Sequence, residues 1–141
     1  MKIKVGVFFG GRSVEHEVSI ISGIQALNNL DKEKYEAVPV YITRDTEFYT
    51  GELIGKIEQY RDVKTLLSKS VRVTPVKNNG RTELVVWGKR GPKKKLYDYI
   101  DAALPVVHGT NVEDGALQGL FRSLGLPFVG CDVSASAIGM D

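Results

Sequence analysis

The sequence predicts an α/β fold, a parallel sheet flanked by helices, with an inserted β-hairpin. Three observations predict it. Near-continuous apolar runs at residues 3–9 and 102–107 read as strands buried on both faces. Each run stops at a glycine-bearing polar loop, and an amphipathic run follows, which is the strand–turn–helix order of a βα unit. Between two further apolar stretches stands Asn79-Gly80, a tight-turn signal because both residues tolerate positive φ.

Taken in order, the first strand ends at Gly10-Gly11, where the chain can adopt positive φ and a ligand can approach the backbone closely. The helix that follows begins near Val18, uses Ile20, Ile21, Ile24 and Leu27 as its buried stripe, and ends around Asn28-Asn29. Residues 37–42 form the second strand. Pro39 lacks an amide donor, so this strand is expected at or near an edge, or bulged. Strand, helix and strand make one right-handed βαβ unit.

Residues 43–70 are polar, with Leu53, Ile54 and Ile57 at short spacings that suggest one short helix. Residues 71–76 and 83–87 flank the Asn79-Gly80 turn as a hairpin, read as a structural excursion from the α/β unit. After the strand at 102–107, a helix from about Gly115 to Leu124 places Leu117, Leu120, Phe121 and Leu124 on one stripe. Glu113 and Asp114 lie near its amino end, where carboxylates suit the helix dipole. Gly125 reads as its C-terminal cap with Pro127 just beyond. A short strand at 127–129 and a last helix opening near Val133, capped by Asp132, complete the chain.

A length of 141 residues suits one domain with a real core, and 43% hydrophobic with 26% charged residues suits a soluble globular protein. The net charge is only +2. Lys89, Arg90, Lys93, Lys94 and Lys95 cluster, but no aromatics interleave them, so a solvated loop is favoured over a nucleic-acid surface. The single cysteine, Cys131, excludes an internal disulfide, and two histidines make a zinc cluster improbable. No signal peptide and no membrane-length apolar stretch are found, so the expected location is the cytoplasm, with no membrane partner.

Both glycine-bearing loops follow parallel strands, so residues 10–15 and 108–114 should meet at one carboxyl edge of the sheet, where α/β proteins bind small ligands. Glu15 and His108 are the two catalytic candidates. A carboxylate can hold an ammonium group, and an imidazole can hydrogen-bond a carboxylate or carry a proton near neutral pH. The competing structural readings are a helix-capping Glu15 and a strand-end His108 tied to backbone. Glu113 and Asp114 read as capping residues, His16 and Glu17 as helix surface. Phosphate-site tests fail: there is no P-loop, no dinucleotide fingerprint and no Asp-rich metal cluster. Spacing alone supports a ligand-binding α/β domain and no named reaction.

Motifs go further. The segment Phe9-Gly10-Gly11-Arg12-Ser13-Val14-Glu15-His16-Glu17-Val18-Ser19 resembles the opening motif of the D-alanine–D-alanine ligases. The segment Val106-Val107-His108-Gly109-Thr110-Asn111-Val112-Glu113-Asp114-Gly115-Ala116-Leu117-Gln118-Gly119 is similar to their second motif. Gly125-Leu126-Pro127-Phe128-Val129-Gly130 with Ser134-Ala135-Ser136-Ala137-Ile138-Gly139-Met140-Asp141 resembles the end of their first domain. Residues 46–97 match no motif.

The resemblance implies that residues 1–141 are the amino-terminal substrate-binding domain, a Rossmann-like pre-ATP-grasp unit, of an enzyme that joins two D-alanines for peptidoglycan synthesis. It implies ATP and Mg2+ as cofactors, bound by ATP-grasp domains absent from this chain, and hence no metal ligand here. It implies activation of the first D-alanine as an acyl phosphate, which the amine of the second attacks. Glu15 would bind the ammonium of the first D-alanine, and His108 would line the same site. Val18 would be wall, and Gly10, Gly11 and Gly109 would let the loops come close. A homodimer is implied as well, and an isolated chain that is inactive. The loop Thr110-Asn111-Val112 departs from the family's usual glycine or bulky residue. The resemblance places the residues that discriminate D-alanine, D-serine and D-lactate as second substrate mostly in the absent domains, so all three stay open. Alternatives from other classes are a non-catalytic ligand-sensing module such as a receiver, or the first domain of a different ATP-grasp enzyme. The first strand ends without the acidic cluster a receiver needs.

Overall fold

The computed structural model describes residues 1–12, 14–88, 95–107 and 111–129, with 111–114 as backbone alone. The expected helix near Val133 lies outside them, as does most of the basic loop. Among the described residues, seven strands form one sheet: β1 (Ile3–Gly10), β2 (Tyr35–Ile42), β3 (Phe48–Thr50), β4 (Val71–Asn78), β5 (Arg81–Val86), β6 (Leu96–Ile100) and β7 (Ala102–Val106). The helices are α1 (His16–Asn29), α2 (Val63–Ser68) and α3 (Asn111–Leu124), with two 3-10 turns at Glu52–Gly55 and Ile57–Arg61. The order across the sheet is β6-β5-β4-β3-β2-β1-β7.

The parallel part is β7-β1-β2, as the βα pattern predicts. Its centre is β1, whose alternate side chains feed two cores. Val5, Val7 and Phe9 face α1 together with Leu104 and Val106, and Ile20, Ile24 and Leu27 cover them. Phe8 faces the other way, under Leu117, Phe121 and Leu124 of α3. Ile21, expected in the buried stripe, is 51% exposed; the helix starts at His16 rather than Val18, so the stripe runs through His16, Ser19 and Gly23.

The predicted hairpin exists, with Asn79 and Gly80 both at positive φ, but it is no excursion. Three-residue β3 bridges β2 to β4, so the hairpin and β6 continue the same sheet in antiparallel fashion. This also corrects the placement of β2, which is internal. The Gly11 amide donates to the Ile42 carbonyl, so alternation turns the backbone groups of Pro39 toward the β3 side. There β3 pairs only Val40 to Ile42, and the Pro39 carbonyl accepts from the Thr50 hydroxyl at 2.7 Å. The missing amide falls just past the end of the short strand.

Strands β6 and β7 occupy opposite ends of the sheet order, yet Asp101 alone separates them in sequence. The sheet must therefore curl until its far end returns to β1. Backbone bonds at the seam record it: Asp101 N donates to Lys4 O at 2.7 Å, and Lys4 N donates to the Asp101 carboxylate at 2.8 Å. The chain leaves α3 through Gly125, with Leu126 N bonded to Phe121 O and Gly125 N to Arg122 O, the predicted cap. Among the described residues no helix is long and apolar enough to cross a membrane.

Candidate functional site

Strand β1 ends between its two parallel neighbours, with Phe9 opposite Val106 and Gly10 opposite Ile42. The loop at residues 10–15 and the one that follows Val106 therefore leave adjacent strands at one edge, and α1 and α3 begin there. Gly10 (φ 99°) and Gly11 (φ 95°) turn the chain out of the sheet as expected. A Cβ on Gly10 would stand 2.3 Å from the Ile42 carbonyl oxygen, so glycine is required on two counts.

Three buried contacts then hold the turn. The Ser19 hydroxyl accepts from the Gly10 amide at 2.8 Å and donates to the Val106 carbonyl at 2.6 Å, joining the ends of β1 and β7. The Gly11 amide donates to Ile42 O at 2.9 Å. His16 Nδ1 lies 2.5 Å from Gly11 O, and Nε2 lies 2.6 Å from the Tyr41 hydroxyl. Carbonyl oxygen only accepts, so Nδ1 carries the proton. In the neutral ring Nε2 is then the acceptor and the Tyr41 hydroxyl the donor. Burial pushes the Tyr41 phenol up to about 12, with Arg44 pulling it down and Glu17 adding to the rise, so it keeps its proton at neutral pH. Tyr60, stacked edge-on against Tyr41 at 5.3 Å, is raised too, first by burial and then by Tyr41.

Glu15 sits at the amino end of α1 with an exposed side chain that makes no capping bond to the helix, while its carbonyl accepts from Ser19 N. Val18, one turn on, is 48% exposed. Gly10 and Gly11 stand in the turn beside them. His108 and Gly109 lie outside the described residues, as do the side chains of Glu113 and Asp114. Glu17 is at the surface as expected, pairing with Arg44 at 2.8 Å. His16 corrects the surface reading: it is 4% exposed. Sequence reasoning also passed over Ser19 and Tyr41. A signal for His16 existed, because extending the buried stripe of Ile20, Ile24 and Leu27 back one turn lands on it.

A cavity of about 600 Å³ opens beside this edge, between α1, the end of β2 and residues 57–67. Ile20, Ile57, Tyr60 and Leu67 are among the side chains that line it, with Arg44 and Arg61. His16, Glu17 and Tyr41 also line it, whereas Gly10, Gly11, Glu15 and Val18 do not. Among the described residues no three His, Cys, Asp or Glu side chains converge as metal ligands.

Comparison with known proteins bears directly on this edge. The family model described as D-ala D-ala ligase N-terminus matches residues 4–131. A D-alanine–D-alanine ligase from Thermosipho melanesiensis is 39% identical over 99% of this chain, which covers 37% of that relative. The D-alanine–D-alanine ligase structure from Coxiella burnetii superposes with a TM-score of 0.70 at 30% identity, over 91% of this chain and 35% of the other. A D-Ala:D-Ser ligase structure from Enterococcus faecalis gives 0.68 at 32% identity, over 92% of this chain and 36% of the other. The chain thus spans little more than a third of the length of the ligases it matches.

Proposed function

Since the chain belongs to the D-alanine–D-alanine ligase N-terminal family, we propose that it is the amino-terminal substrate domain of a ligase that joins two D-alanines at the expense of ATP. The observation that carries this reading is the pairing of β1 with β7, which sends residues 10–15 and the loop after Val106 out from adjacent strands. In this reading the Glu15 carboxylate holds the ammonium group of the first D-alanine in a charge-assisted contact. His108, in the second loop, faces the carboxyl side of the same molecule, and Val18 walls its methyl group. Gly10, Gly11 and Gly109 let the backbone come close. Fixing ammonium and carboxyl ends together removes rotational freedom before chemistry begins.

ATP supplies the phosphoryl group that turns the carboxylate into an acyl phosphate, which the amine of the second D-alanine displaces. No described residue is assigned to ATP or to its magnesium; both belong, in this reading, to ATP-grasp domains in the part of the relatives that this chain does not cover. The enzyme is read as a cytoplasmic homodimer. D-alanine is taken as the second substrate, with D-serine or D-lactate as the alternative, to which the likeness to the Enterococcus faecalis structure lends support.

The test is D-alanine-dependent ADP release by the full-length enzyme, with products identified for each second substrate. Glu15→Gln is expected to raise the KM for the first D-alanine about tenfold or more, the scale of losing a charge-assisted contact. An unchanged saturation curve sinks the assignment. The 141-residue chain alone is expected to release no ADP.

A further inference from the structure

We propose that His16 is a positioning residue of the first-substrate site: its imidazole braces the Gly11 carbonyl against Tyr41 and so sets the loop that presents Glu15. The inference deepens the reading above and rests on it.

Two consecutive glycines at positive φ leave the turn with little steric definition of its own. Contacts must define it instead. The Gly10 amide and the Gly11 amide are tied to Ser19 and Ile42, so both ties act at the exit from β1. Ser19 reaches back to Gly10 from within α1, and His16 reaches back to Gly11 from its first residue, so His16 closes the shorter ring. The bond closes residues 11–16 into a ring with Glu15 inside it, next to the closing residue. Closing so short a loop removes most of its conformational freedom.

The brace is anchored on the far side. Tyr41 belongs to β2, paired on both sides, and its ring packs edge-on against His16 at 5.4 Å and against Tyr60 at 5.3 Å. A hydrogen bond at each ring nitrogen fixes both the position and the rotation of the imidazole. The 4% exposure of His16 leaves water little chance to substitute for either partner. The imidazole touches no substrate in this arrangement; it acts through Gly11 and Glu15.

Two amide substitutions separate the two bonds. Asn places its NH2 near the position of Nδ1, so His16→Asn keeps the bond to Gly11 and gives up Tyr41. Gln reaches toward the position of Nε2, so His16→Gln keeps Tyr41 and gives up Gly11. In the full-length ligase, His16→Ala is expected to raise the KM for the first D-alanine about tenfold, the scale of one lost buried hydrogen bond, with the KM for ATP unchanged. His16→Asn should recover most of that loss and His16→Gln little of it. Amide hydrogen exchange across residues 11–17 should quicken in His16→Ala and His16→Gln but not in His16→Asn. Equal rescue by Asn and Gln, an equal rise in the KM for ATP, or wild-type exchange in His16→Ala would each overturn the proposal. Glu15→Gln, run in parallel, keeps the two ideas apart. If Glu15→Gln raises the KM and His16→Ala does not, the brace fails alone; if Glu15→Gln has no effect, the substrate assignment fails.

Discussion

A glycine inside a helix ordinarily costs about 1 kcal/mol relative to alanine, and this chain carries two whose substitution should have opposite signs. Gly23 lies in α1 where the helix presses on β1, and a Cβ there would stand 2.4 Å from Cγ of the Phe9 ring. Phe9 is fully buried and cannot withdraw. Gly119 lies in α3 with nothing within 4 Å of the position a Cβ would take. Gly119→Ala is therefore expected to stabilise the fold by up to about 1 kcal/mol through propensity alone. Gly23→Ala is expected to destabilise it by about 1–3 kcal/mol, because overpacking outweighs propensity. Urea midpoints of the two variants check this, and a shift in the same direction for both would defeat the argument.

At the scale of elements, the question is how α1 is held to the sheet edge where the loops emerge. Ser19 does it with one hydroxyl, taking the Gly10 amide and giving to the Val106 carbonyl with no exposed surface. Ser19→Ala strands both backbone groups in a dry place and is expected to cost about 1–3 kcal/mol by urea denaturation. A midpoint within error of wild type would show that water or a neighbour replaces the hydroxyl. The same region shows what was legible beforehand. Strands β1 and β7 announced themselves because burial on both faces requires uninterrupted apolar sequence. Asn79-Gly80 did so because few other residues accept the turn. Strand β3 has three residues and no measurable period. Strand β6 reads Leu-Tyr-Asp-Tyr-Ile, with polar and aromatic positions that only its pairing to β5 explains. Glu15 and the two glycines stood out by motif. His16 did not: the stripe of α1 signals its burial, but its partner Tyr41 is 25 residues away in sequence, so its bonding was not legible.

For the molecule as a whole, the decisive feature is the curl that returns β6 to β1, and Lys4 sits at that seam. Its ammonium pairs with Asp98 at 2.5 Å and with Glu36 at 3.4 Å, and lies 4.5 Å over the Tyr99 ring. The lysine side chain is 13% exposed. Burial opposes the charge there, but Asp98 and Glu36 more than offset it, so the Lys4 pKa is raised above its ordinary 10.5. A folded pKa above the unfolded one means stability that is fully present below about pH 10.5 and is lost as pH rises through the folded value. Tyr41 acts in the same direction, since its phenol moves from 10.0 to about 12 on burial. The fold should accordingly lose stability as pH rises above about 10 through Lys4, Tyr41 and Tyr60, whose phenol is also raised by burial. Lys4→Met is expected to cost about 1–2 kcal/mol at pH 7, because it leaves Asp98 half-buried without its cation. It should also flatten part of the alkaline decline, while Tyr41→Phe removes a second part and leaves that of Tyr60. Urea midpoints from pH 7 to pH 12 separate the two contributions. If Lys4→Met follows the wild-type pH profile in parallel, the seam is not held by that charge, and packing such as Ile100 over Gly6 must hold it instead.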